Sequence, residues 1–176
     1  MTGAGPVVEI RRRRERDLPT LVEVLAAQQP TSRYPMRWPL PFPIEQFVVR
    51  EGELAAWTAL ADGRPVGHVA VLEATDELFG PHWERGHELP ADRLGVISTL
   101  FVDPTVRGAG LGRRLHDVAV GWLREQDRGP CLDVVPVHAG ALLLYEAAGW
   151  REVCRLRTPW LPADQPDVLG MVLPLT

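Results

Sequence analysis

Residues 100–115 read Leu-Phe-Val-Asp-Pro-Thr-Val-Arg-Gly-Ala-Gly-Leu-Gly-Arg-Arg-Leu and concentrate most of the ligand-binding chemistry of the chain. Leu100, Phe101 and Val102 end an apolar, strand-like run, which Pro104 stops because it cannot donate to a ladder. Arg107, Gly108, Ala109, Gly110, Leu111 and Gly112 follow, and their glycines let the backbone turn tightly and approach a ligand with no Cβ in the way. An amphipathic helix opens directly behind them at Leu111, Gly112 and Arg113. Its first N–H groups and the positive end of its dipole suit an anion such as a pyrophosphate. A second group of interest lies further on, where His138 and Tyr145 flank a short apolar helix. Tyr145 carries a phenol with a proton to give, although an aromatic on an apolar helix face is most often core.

Two familiar phosphate cradles are excluded by what is missing. A P-loop ends in Gly-Lys-Ser/Thr, whereas Gly112 is followed by Arg113 and Arg114. A dinucleotide fold needs G-x-G-x-x-G after an early strand; here the third glycine comes one place too soon and the strand lies past mid-chain. The block V-D-P-x-x-R-G-x-G-x-G instead resembles the acetyl-CoA-binding motif of the GCN5-related N-acetyltransferase (GNAT) superfamily, R/Q-x-x-G-x-G/A, with Arg107, Gly110 and Gly112 at its defining positions. A second resemblance runs from His138 to Trp150 against the family pattern N-x-x-A-x-x-x-Y-x-x-x-G-F. Ala141, Tyr145, Gly149 and Trp150 match it, and His138 stands where the family has Asn.

The resemblance implies an acetyl-CoA co-substrate and transfer of its acetyl group to a primary amine by direct attack. It places the cofactor along Leu100, Phe101 and Val102, on the cradle from Arg107 to Arg113, and near His138. Tyr145 becomes the acid that protonates the departing thiolate. A base is harder to name, because Ser98 occupies the strand position where many members carry Glu. Glu73, Asp133 and His138 lie at or near strand ends that could face the cleft, and each also reads as a solvated or capping residue. Two loops, 31–43 with Tyr34, Trp38 and Phe42 among prolines and the polar 73–93 with its acidic residues and Trp83, would cover the acceptor side, which points to a small-molecule amine. The alternatives are a protein or peptide amine, and a non-catalytic acyl-CoA-binding module.

Composition bounds these readings. A chain of 176 residues is one domain by size, here 1–176, and can bury a core. Hydrophobic residues make up 45% and charged residues 24%, as in soluble globular proteins. A net charge of −4 speaks against nucleic-acid binding, and no apolar run is long enough for a bilayer. No leader is evident around Arg11–Arg14, so a cytoplasmic location is expected, with Cys131 and Cys154 as two free thiols and a disulfide between them left open. His82 and His87 match no standard metal-ligand spacing, and no metal is expected. The oligomeric state stays open, a homodimer included.

The elements that must position these residues follow from periodicity. Strands are predicted over 7–12, 54–60, 65–72, 94–102, 131–135, 150–158 and 168–173, with Asp62-Gly63 as a hairpin turn. Asp17 is a candidate N-cap for a helix ending before Gln29-Pro30, and 44–50 suggests a short helix. Helices follow Gly110 and His138, whereas 73–93 reads as a long polar loop that includes Trp83. Arg11–Arg14 is expected as solvated charge near an exposed edge. The sum is an α/β fold, a mixed central sheet of about seven strands flanked by helices, and the resemblance implies that it is mostly antiparallel and of the acyl-CoA N-acyltransferase type.

Overall fold

The computed structural model describes residues 4–106 and 110–175. One seven-stranded sheet in the order β1-β2-β3-β4-β5-β7-β6 organises them. Its strands are β1 (Val8–Arg12), β2 (Glu53–Ala61), β3 (Arg64–Leu72), β4 (Leu94–Val102), β5 (Gly129–Val134), β6 (Arg151–Leu156) and β7 (Val168–Val172). Every neighbouring pair is antiparallel except β4 and β5, which run parallel. Asp62 and Gly63 both take positive φ in the two-residue turn between β2 and β3, as a right-twisted hairpin requires.

Alternation along the strands sorts side chains onto two faces. Val69, Val71, Ile97, Leu132, Val134, Leu169 and Met171 form one core. Against it pack α4 (Leu111–Glu125), through Leu111, Leu115 and Ala119, and α5 (Ala139–Ala147), through Tyr145. The other face meets α1 (Leu18–Ser32), α2 (Glu45–Val48) and α3 (Gly80–His87) through Leu21, Leu25, Val48, Phe79 and Trp83. Among the described residues no helix is long and apolar enough to cross a membrane.

Two expectations about local structure are corrected. Residues 73–93 are not one polar loop, because α3 forms within them and Trp83 is only 1% exposed. The Asp76 carboxylate accepts the Leu78 and Phe79 amides, each at 2.8 Å, and so organises the entry to the helix. Phe79 and Trp83, four residues apart, stack at 5.5 Å and bury one helix face, while the Trp83 indole donates to the Leu132 carbonyl at 3.2 Å. His87 donates to the Pro130 carbonyl at 2.8 Å, which ties the end of α3 to β5. Helix α1, second, runs past Pro30 to Ser32. Pro30 sits in the last turn, where it forfeits only the single amide bond to the Ala26 carbonyl, and Arg33 closes the helix from the left-handed region at φ 59° with its amide on Gln29 at 2.7 Å.

Of the arginine run, Arg12 and Arg14 are exposed and β1 does form a sheet edge, but Arg11 and Arg13 are not solvated charge. Arg11 makes a paired bond to the Asp17 carboxylate at 2.7 and 2.9 Å, and Arg13 does the same to Glu53 at 2.6 and 2.8 Å. Arg12 lies over the rings of Trp57 and Trp122 at 4.8 and 5.5 Å. Asp17 does not cap α1 with its side chain; it accepts the Arg14 amide at 2.8 Å and the Thr58 hydroxyl at 2.9 Å instead. Burial opposes its ionisation, but the bonds from Arg11, Arg14 and Thr58 outweigh that and hold its pKa at about 2, below the usual 3.8. A depressed carboxyl contributes stability above its unfolded pKa and loses it as pH falls through the folded value. Asp17→Asn is therefore expected to lower stability at pH 7 by roughly 2 kcal/mol and to flatten the loss seen in the parent between about pH 4 and 2. Urea unfolding across that range measures both.

Candidate active site

The strands β4 and β5 pair only at Leu94–Gly129, Gly95–Pro130 and Val96–Cys131. Beyond these pairs each strand continues without the other, to Val102 and to Val134, so a wedge-shaped slot opens between their edges. Along that slot the backbone N–H and C=O groups of β4 that face β5 have no ladder partner, which leaves them for a ligand. The slot leads toward the start of α4, where Gly110 sits at φ 70° and its carbonyl accepts the Arg114 amide at 3.0 Å. Among the described residues nothing lies within 4 Å of a Cβ placed on Gly110. The space there is open, and it is bordered by the unpaired first amides of the helix.

A β-bulge shapes the β4 lip of the slot. His68 pairs with Phe101 and Ala70 with Ser98, so Thr99 and Leu100 together oppose Val69. The extra residue turns Ser98 and Phe101, three apart, toward the same face: Phe101 packs with Leu21 and Val48, and Ser98 meets Arg50 beyond α2. Thr99 takes φ 48°, a left-handed conformation that is strained for a β-branched residue. Its carbonyl is held by His68 Nδ1–H at 2.8 Å, and His68 Nε2 accepts from Arg13 Nη1 at 3.1 Å. Burial drives the His68 pKa down to about 3, so the ring stays neutral and keeps this tautomer. The buried Thr99 hydroxyl finds no partner among the described residues. A chain of bonds from Glu53 through Arg13 and His68 thus braces the strained point of the strand.

Four side chains from different elements converge beside the bulge. Arg50 donates to Ser98 Oγ at 3.2 Å and stands 5.5 Å from the Phe47 ring. Tyr34, just after α1, meets the rings of Phe47 and His138, both at 5.8 Å. Asp133 on β5 is exposed on the floor of the cleft. Tyr145 projects from α5 and is 7% exposed. Burial raises the pKa of both tyrosines and the Asp133 charge pushes the same way, so both phenols stay protonated at neutral pH. Tyr145 is packed by His116 and Trp150 at 6.0 and 5.9 Å, and the Trp150 indole donates to His116 Nε2 at 2.8 Å. His116 Nδ1–H in turn donates to Asp117 at 2.8 Å, which fixes the ring and hence the wall behind Tyr145.

The structure brings Gly110, Leu111, Gly112 and Arg113 to the first turn of α4, and Leu100, Phe101 and Val102 to the β4 lip. Leu111 and Phe101 send their side chains into the core, so only their backbone faces outward. Arg113 bonds Asp117 at 2.9 Å. Arg107, Gly108 and Ala109 lie outside the described residues. His138 precedes α5 and turns its ring to Ser32 and Tyr34, on the α1 side. His116, His68 and Arg50 are missed by sequence reasoning. His116 was open to detection, since Leu111, Leu115, His116, Ala119, Val120 and Leu123 form one continuous helical stripe. Neither His68 nor Arg50 has a local signal of its own, because each is recruited across strands.

Comparison with known proteins agrees with this geometry. The model of the acetyltransferase (GNAT) family matches residues 19–150. A mycothiol acetyltransferase of Salinispora tropica is 37% identical over 90 residues, 48% of this chain and 28% of the relative. That of Acidothermus cellulolyticus is 38% identical over 95 residues, 46% of this chain and 29% of the relative. The matched stretch therefore spans under a third of the length of these relatives. Among solved structures, the ribosomal-protein-S18-alanine N-acetyltransferase from Escherichia coli superposes with a TM-score of 0.70 at 19% identity, covering 97% of this chain and 95% of that one. Arabidopsis thaliana NAA60 in complex with acetyl-CoA gives 0.68 at 20%, covering 94% and 97%. At such identities the superpositions speak for the fold. The family match over most of the chain speaks for its descent: this chain belongs to the acetyltransferase (GNAT) family.

Proposed function

We propose that the protein is a single N-acetyltransferase domain that transfers the acetyl group of acetyl-CoA to the primary amine of a small molecule. The parting of β4 and β5 carries this reading, because it puts free strand edges, an open glycine at a helix start and a phenol on one path. The residues fit the cofactor: the first amides of α4 with Gly110 and Gly112 suit a pyrophosphate, and the β4 edge at Leu100, Phe101 and Val102 suits an amide-bearing arm. By the resemblance, Arg107, Gly108, Ala109 and Arg113 belong to the same cradle and His138 to the cofactor site. Acetyl-CoA supplies an acyl thioester with a carbonyl open to attack and a thiolate leaving group. In this reading a backbone N–H of the β4 lip stabilises the oxyanion and Tyr145 protonates the sulfur.

A small acceptor is favoured by what covers the cleft. Residues 33–43 cross from α1 toward the segment joining β6 and β7, where Met36 packs on the cluster that holds Leu161 and Phe79. The relatives' name, mycothiol acetyltransferase, points in the same direction. Trp38 belongs to this cover and is half-buried. Trp38→Ala is expected to raise the KM for a small amine several-fold while leaving the KM for acetyl-CoA nearly unchanged. Steady-state kinetics with small amines and with peptide N-termini in parallel tests this. Faster turnover of the peptides would favour a protein acceptor.

A further inference from the structure

We propose that Arg50 binds a carboxylate carried by the acceptor, which makes the acceptor a small α-amino carboxylate and not a plain amine. The inference rests on the acetyltransferase reading and names its substrate class. It starts from how this chain uses its arginines. Arg11, Arg13, Arg64, Arg113, Arg155 and Arg157 each hold a carboxylate of the protein itself. Arg50 holds only the neutral Ser98 hydroxyl, through Nη1 at 3.2 Å, and makes no ion pair among the described residues. A guanidinium presents a planar fork of N–H donors that matches the two oxygens of a carboxylate. The rest of the Arg50 fork has no partner among the described residues.

The fold places this side chain for a ligand. Arg50 follows α2, and its backbone is anchored on both sides. Before it Val48 is buried under α1, and after it the Gly52 carbonyl accepts the Glu73 amide at 2.8 Å. The guanidinium stands 5.5 Å from the Phe47 ring and reaches β4 at Ser98, one residue before the strained Thr99. Ser98 lies two residues past Val96, the last residue of β4 to pair with β5, and therefore on the open lip of the slot. Arg50 is exposed there, within reach of an incoming molecule.

The charges around the slot are sorted. Asp133 on β5 and Asp76 before α3 are negative, Arg50 is the cation that faces Asp133 and Tyr34, and the tyrosines stay neutral. Glu73 packs against Gly52 and leaves Arg50 unpaired. An acceptor that carries only an ammonium meets the guanidinium as a like charge. An α-amino carboxylate brings the opposite charge to it and keeps the amine one carbon away, beside the slot. A peptide N-terminus has that carboxyl tied up in an amide and offers Arg50 no charge. The transfer balances as for any amine: the C–N bond forms and the C–S bond breaks. Of the two protons the ammonium sheds, one ends on sulfur and the other goes to water.

A panel of α-amino acids, each beside its carboxamide and its decarboxylated amine, tests the assignment. For the parent, kcat/KM for the best amino acid should exceed that of both its partners by about 10–100-fold, the worth of a charge-assisted hydrogen bond. In Arg50→Met, which keeps the length of the side chain and removes its charge, that ratio should fall toward one through a raised KM for the amino acid. Arg50→Lys should restore part of it. Independently of turnover, calorimetry on the CoA-saturated protein should show the N-acetyl amino acid binding to the parent and more weakly, by a similar factor, to Arg50→Met. A parent that turns over carboxamides or plain amines as fast as the acids would overturn the carboxylate and leave the acetyltransferase reading intact. An Arg50→Met variant that keeps the parent's preference would do the same. A parent that acetylates none of the three series would overturn both.

Discussion

Tyr145→Phe is expected to lower kcat by about 10²–10⁴-fold while leaving acetyl-CoA affinity nearly unchanged. The ring sits 6.0 Å from His116 and 5.9 Å from Trp150 and is almost wholly buried, so Phe can occupy the same space. What disappears is the hydroxyl, whose proton burial and the Asp133 charge keep in place at neutral pH. A free thiol has a reference pKa of about 8.5 and a phenol about 10, so the transfer from Tyr145 works only from a positioned hydroxyl to a thiolate as it forms. The loss should therefore fall on kcat, because the interaction is made in the transition state. Thermal unfolding beside the kinetics separates chemistry from packing: an unchanged Tm with a collapsed kcat identifies the acid. Near-normal turnover would make Tyr145 a core residue.

Gly110→Val should abolish binding of CoA, weakening it by at least about 100-fold, or ~2.7 kcal/mol. The reason is local to the start of α4. Nothing described in the protein lies near a Cβ at Gly110, so the added side chain would project into the open space that the proposed cradle gives to the pyrophosphate. The φ of 70° also penalises Val, at roughly 1–2 kcal/mol for a left-handed residue with a Cβ. Gly110→Ala carries most of that conformational cost with less bulk, so the difference between the two variants isolates the obstruction. Calorimetric titration with CoA measures it, and a folded Val variant with parental affinity would contradict the cradle.

These effects rest on parts of the molecule that differ in how openly the sequence displays them. All seven strands are legible to within a few residues, because apolar alternation and the Asp62-Gly63 turn are local signals. The glycine turn into α4 is equally plain, since Gly110 takes its positive φ through its own backbone. By contrast α3 is hidden by its flanking charges, and only the four-residue spacing of Phe79 and Trp83 betrays it. The roles of Arg11 and Arg13 depend on Asp17 and on Glu53, forty residues away from Arg13, and nothing local distinguishes such pairs from solvated charge. Asp133 illustrates the same limit at the site. Its placement opposite Ser98 follows from a register between two strands thirty-five positions apart, which hydrophobic pattern alone does not specify.

The account stands on acetyl transfer through the slot between β4 and β5, and one assay meets it directly. Purified protein is mixed with acetyl-CoA, with and without a panel of small primary amines, and free thiol and N-acetylated amine are quantified together by absorbance and mass spectrometry. The expected result is thiol release that depends on an amine, matched one for one by the N-acetyl product and lost in Tyr145→Phe. Tight binding of CoA with thiol release indifferent to every amine would contradict it, and would make the protein a binding module.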